Sequence, residues 1–164
     1  MPQKPQQQAS STSTSKELRI VARPVATLDA VRKDPDKLKL LNIIGRLGAI
    51  SERGLTNLVY LLINEKKMGL KYTFIMVDQI PNSKELSEDV RLLLYLGLVE
   101  TEPTLRRLRL TSSGREFMEQ NKLDENALNE LFNAVDELKE RVLSEERAAE
   151  FSARGARGRR RFRR

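Results

Sequence analysis

The sequence predicts a mainly α-helical domain that carries a short β-hairpin, followed by a long helix and flanked by polar ends. Three observations carry this. Apolar residues recur at three- and four-residue steps over Leu38–Leu47, Leu55–Ile63 and Leu86–Leu94, the period of an amphipathic helix. Two short runs rich in leucine and valine flank Glu102-Pro103-Thr104, a turn in which Pro presets φ. The first fifteen residues, MPQKPQQQASSTSTS, are too polar to bury a core and are expected to be disordered.

In chain order, Asp34-Pro35-Asp36 opens the domain, with Asp34 or Asp36 as N-cap of a first helix. Gly45 and Gly48 fall near its end. Ser51 caps a second helix, which Lys66, Lys67 and Gly69 close. Leu70–Val77 is aromatic and β-branched and reads as extended, and residues 77–82 read as a loop. Tyr72 and Phe74 are one strand period apart and share a face, as a core pair or a base-stacking pair. Ser83 caps the central helix, and Gly97 ends it by tolerating positive φ. Leu98-Val99 begins a strand; Leu105, Leu108 and Leu110 return it, with Arg106, Arg107 and Arg109 beside them. Thr111 caps the next helix, which turns Phe117 and Met118 to the core. Helix, glycine, strand, turn, basic strand and capped helix is the order of a winged helix-turn-helix. Such a domain presents a helix to a duplex and a basic hairpin to the phosphates beside it.

The run YLGLVETEPTLRRLRLTSSGREFME resembles the C-terminal half of winged-helix transcriptional regulators of the PadR or MarR type. Leu93, Gly97, Leu98 and Val99 match their helix end, and Leu110, Thr111, Gly114 and Arg115 match the start of their next helix. The likeness, shared with prokaryotic winged-helix proteins, covers about Asp36 to Val142. It implies DNA binding and dimerisation through a terminal helix. Two features depart from it: the wing is very short, and the central helix carries Glu85, Glu88 and Asp89 where it would meet DNA. Those three read as a solvated face rather than a cation site. Lys84 and Arg91 are the basic candidates on that helix for base or phosphate contact.

Asp124 is expected to cap a helix to Ala153. Leu128, Leu131, Val135, Leu138 and Val142 form a seam at three- and four-residue steps, read as a homodimer interface, with packing on the chain's own domain as the alternative. The chain thus divides into an N-terminal arm (1–33), a winged-helix domain (34–122), a C-terminal helix (123–153) and an Arg-rich disordered tail (154–164). Within the arm, residues 16–31 read as a linker with one weak apolar anchor.

The net charge is +7, and the last eleven residues alone hold seven arginines and no acid. Arg154, Arg157, Arg159, Arg160, Arg161, Arg163 and Arg164 are candidate phosphate ligands, since guanidinium binds phosphate bidentately and stacks on bases. A merely solubilising tail is the plainer alternative. The chain has no Cys and no His, so disulfides, thiolate catalysis and histidine ligation are excluded. No phosphate-loop or nucleophile motif is present, and neither enzymatic activity nor a cofactor or metal is expected. No apolar run reaches a membrane span, and a cytoplasmic protein is expected. Nucleic acid, DNA ahead of RNA, is the expected partner. An RNA- or ribosome-associated protein and a protein–protein adaptor remain as alternative readings.

Overall fold

A computed structural model describes the backbone of residues 26–161 and the side chains through residue 155. The polar stretch expected at residues 1–15 lies outside the described residues. The chain is mainly helical, with a small antiparallel sheet and a long C-terminal helix.

The folded part begins earlier than the sequence indicates. Helix α1 (Leu28–Arg32) precedes Asp34, and Val31 is wholly buried, so this anchor belongs to the core rather than to a linker. Helix α2 (Pro35–Leu47) starts with Pro at N1, and the Asp34 carboxylate accepts the Asp36 N–H at 3.0 Å and the Lys37 N–H at 3.4 Å. Strand β1 (Ala49–Ile50) leads into α3 (Glu52–Asn64), whose cap Ser51 accepts the Gly54 N–H at 3.0 Å.

The segment expected to be extended and then a loop is instead mostly irregular until a second hairpin, β2 (Ile75–Val77) and β3 (Ile80–Asn82). Asp78 and Gln79 both take positive φ at its tip, as a mirror-image two-residue turn requires. Helix α4 (Lys84–Tyr95) follows, capped by Ser83, and Gly97 at φ 71° ends it as expected. Strands β4 (Val99–Thr101) and β5 (Leu108–Leu110) pair, and β5 also pairs with β1, giving the order β1-β5-β4. The returning strand is shorter than the sequence indicates: Leu105 lies in the six-residue connection and is exposed.

Thr111 caps α5 (Ser112–Gln120) through the Gly114 N–H and donates its hydroxyl to the carbonyls of Gly97 and Leu98. Asp124 accepts the Ala127 N–H at the start of α6 (Glu125–Arg161). This helix does not stop near Ala153. It runs on through Gly155 and Gly158, so the tail expected to be flexible is helical to Arg161.

The core joins Leu40, Leu41, Ile43 and Ile44 of α2 to Leu55, Leu58 and Leu62 of α3 and Leu86 and Leu93 of α4. Leu131, Val135, Leu138 and Val142 of α6 complete it, packed against α2 and α3 and nearly inaccessible; Leu128 is half-buried. The seam read as a homodimer interface is therefore covered within one chain. The reason is energetic: each such side chain gains about 1.5–3 kcal/mol by burial, whichever apolar surface covers it. Two stripes, on α2 and α3, are close enough to do so. Arg46–Asp136, Lys66–Glu137 and Arg141–Glu65 ion pairs lace the edges of that contact.

Candidate nucleic-acid interface

The expected ligands fall in three places: α4, the β4–β5 hairpin and the end of α6. On α4, Lys84 is exposed at the first turn with Nζ 3.8 Å from Glu88 Oε1, and Arg91 is exposed two turns further along the same face. Glu85 accepts the Thr73 hydroxyl at 2.8 Å, and its carboxyl is held below the usual range by its own backbone N–H and then by Thr73. The exposed start of α4 thus stays anionic at neutral pH.

Asp89 is not part of that solvated face. It is buried, 8 % exposed, and meets Lys71 Nζ at 3.0 Å, Lys37 Nζ at 3.4 Å and the Tyr72 hydroxyl at 3.0 Å. Lys37 and Lys71 also reach Asp34, at 2.5 and 2.6 Å respectively. Two carboxylates and two ammoniums thus close one network with Tyr72 in contact. Burial pushes the Asp34 carboxyl up, but hydrogen bonds from Lys37 and Lys71 outweigh it and hold it well below the usual carboxylate range. Burial, and then the neighbouring Asp89 charge, push the Tyr72 phenol far up. Tyr72 is therefore a core residue rather than a stacking platform. Phe74 packs edge-on against Tyr60 at 5.5 Å between centroids. Among the described residues no acidic cluster is gathered as a metal site.

The three hairpin arginines do not act as one group. Arg109 Nε donates to Glu100 Oε1 at 2.6 Å, its directly opposed partner on β4. Arg107 Nη2 lies 3.4 Å from Glu150 on α6, and its buried Nε has no partner. Arg106, at φ 51°, is exposed and has no carboxylate partner among the described residues. Its guanidinium is thus open to a phosphate on every nitrogen, whereas Arg109 keeps only its terminal nitrogens free of the Glu100 pair.

Arg154 is exposed on α6. Arg157, Arg159, Arg160 and Arg161 continue that helix in backbone, and Arg163 and Arg164 lie outside the described residues. The groove between α3, β3 and α6 carries Glu145, Glu146 and Glu150 against Arg53. It offers nothing to a polyanion.

Sequence reasoning missed two features. Ile75, Val77 and Ile80 share the open face of the β2–β3 hairpin and are 68, 49 and 38 % exposed. The β-branched composition of residues 75–80 was the available signal. The Lys37–Lys71–Asp89 network joins residues up to 52 positions apart and leaves no local signal beyond the Asp34–Lys37 spacing. Comparison of the chain with protein-family models, with curated proteins and with solved structures gives no match.

Proposed function

We propose that this chain is a winged-helix nucleic-acid-binding protein without enzymatic activity, with duplex DNA as the preferred partner, acting as a regulator or a chromatin-associated factor. The observation that carries the reading is the continuity of α6, which runs from the core directly into the arginine run. The order α2-β1-α3-α4-β4-β5, with β5 central in the sheet, supports a winged-helix assignment. In this reading α2, α3 and α4 are the three helices of the motif, and the β2–β3 hairpin stands in the connection between the last two.

The division of labour follows from charge. The arginine run supplies affinity through phosphates, without reading sequence. Arg106 orients the domain, and the acidic start of α4 keeps that helix from reading bases deeply. Fluorescence anisotropy of the full chain with duplex DNA, duplex RNA and single strands over a salt series tests this. Binding to duplex DNA with a steep salt dependence is the expected result, and a chain ending at Ala153 should lose most of it. No binding to any of these at low salt would leave the proposal without support.

The exposed Ile75, Val77 and Ile80 favour a second reading, a protein–protein adaptor, because a contiguous apolar patch on a hairpin marks an interaction surface.

A further inference from the structure

A second basic feature lies apart from the hairpin tip and the tail. A hollow of about 450 Å³ opens between α2, α5 and α6 at the end of β5. Arg46, Arg109 and Arg115 line it, with Asn42, Leu110 and Phe132, and no carboxylate does.

Two of the guanidiniums are oriented from outside the lining. Arg46 donates from Nε and Nη2 to Asp136 at 3.0 and 2.5 Å, which leaves Nη1. Arg109 donates from Nε to Glu100, which leaves both terminal nitrogens. Arg115 is exposed and has no carboxylate partner among the described residues. The pairs thus orient two planar forks, and the third group leaves the hollow with a positive charge. Oriented forks lose less side-chain freedom when they receive an oxyanion.

The rest of the lining is unlike a simple solvent-filled rim. Asn42 is 7 % exposed and donates Nδ2 to the Leu38 carbonyl at 2.7 Å. Its Oδ1 accepts no hydrogen bond from the described residues and is an accessible acceptor, open to a ligand hydroxyl or N–H. The Phe132 ring carries the Arg46 guanidinium 5.0 Å from its centroid. Gly48 adds no side chain, with open space where its Cβ would stand. Asp136 and Glu100 balance two of the three guanidiniums, and Arg115 carries the charge left over.

We propose that this hollow binds a small phosphate-bearing ligand that also offers a hydrogen-bond donor and an apolar or aromatic body, a mononucleotide being the simplest of that class. The phosphate lies among Arg46, Arg109 and Arg115. The donor meets Asn42, and the body rests on Phe132 and Leu110. Such a site would report a metabolite to α6, because Arg46, Phe132 and Asp136 join α2 to that helix.

The test is calorimetric titration of the full chain with inorganic phosphate, adenosine 5′-monophosphate and adenosine, alongside the Arg115→Gln variant. Arg115 supports nothing in the fold, so Arg115→Gln should melt as the parent does, and Arg147→Gln serves as a charge control. The nucleotide should bind more tightly than phosphate, and adenosine should not bind. Arg115→Gln should weaken nucleotide binding about tenfold, the loss of one charge-assisted hydrogen bond. Arg147→Gln should leave it unchanged. Equal nucleotide binding by parent and Arg115→Gln would place the phosphate elsewhere, the tail included, and overturn the inference. So would absence of binding to both phosphate and nucleotide at low salt. If Arg115→Gln instead weakens duplex DNA while neither small anion binds, the hollow belongs to the duplex surface and the small-ligand site is refuted. Duplex binding measured on the same proteins keeps this outcome separate from failure of the nucleic-acid reading.

Discussion

The Tyr72 hydroxyl donates to Asp89 Oδ2 at 3.0 Å, tying the segment before the β2–β3 hairpin to the middle of α4. Asp89 is buried, and its charge is balanced by Lys37 and Lys71. Tyr72→Phe keeps the ring and removes one of the carboxylate's donors. It should cost about 1.5–3 kcal/mol, the size of one hydrogen bond to a charged group. Urea unfolding should show a lower midpoint with an unchanged slope. An unchanged midpoint would mean that the two ammoniums satisfy Asp89 alone.

The same network sets an acid limb. The Asp34 carboxyl lies below its unfolded value of about 3.9, so the folded chain favours the ionised form. Its stabilising contribution is therefore complete above that unfolded value and declines as pH falls toward the lower folded value. Asp34→Asn keeps an N-cap but removes the charge. Thermal melting between pH 2 and 5 should show a shallower decline for Asp34→Asn than for the parent. Parallel profiles would count against Asp34 as the source.

Gly114 makes the tightest approach of the described glycines. A Cβ there would stand 2.1 Å from the Leu98 carbonyl oxygen and 2.9 Å from Leu110. Backbone cannot yield as a side-chain end does, so Gly114→Ala should destabilise by about 3 kcal/mol or more. Chemical denaturation reads this directly. A loss near zero would mean that α5 shifts freely on the sheet.

Charge placed in the α6 seam should unfold the chain rather than separate folded subunits. Leu131 and Leu138 are 1 and 4 % exposed within a single chain. Leu131→Asp with Leu138→Asp would bury unpaired carboxylates beside α2 and α3. Circular dichroism should show lost helix. A folded double variant that sediments as a monomer, beside a dimeric parent, would instead assign the seam to self-association.

The hairpin arginines should separate in binding assays. Arg106→Ala removes a guanidinium with no internal partner, and should weaken duplex binding and lower the salt slope by about 0.9, one phosphate contact on B-DNA. Arg107→Ala should change binding less, because Arg107 is turned toward Glu150. Equal effects of the two in anisotropy titrations would show that the Arg107–Glu150 pair opens on binding.

Local features were readable from sequence because their chemistry is local. Ser51, Ser83 and Thr111 each bond to an N–H three residues on, and Gly97 takes the positive φ its position demands. The apolar stripes of α2, α3 and α4 follow from period alone. What the stripes meet is another matter. A seam at three- and four-residue steps on α6 fits a second copy as well as α2 and α3, since apolar burial has no address. The β2–β3 hairpin escaped notice because Asp78-Gln79 holds positive φ without Gly or Asn, and its outward face is apolar. Of the candidate interface, the residue types were legible and their pairings were not. Arg107 and Glu150 are 43 residues apart, and only the folded chain brings them together.

The continuity of α6 has a geometric consequence. Between Val142 in the core and Arg161 the helix has no joint, so 19 residues at about 1.5 Å each hold the basic run roughly 28 Å along a single axis. Such a shaft fixes angle as well as reach. Each residue added between Glu150 and Arg154 turns everything beyond it by about 100°, while seven bring it back to within about 20°. The backbone positions from Arg154 to Arg161 are therefore clocked to the domain, like a key bit to its bow, and their register matters as much as their number.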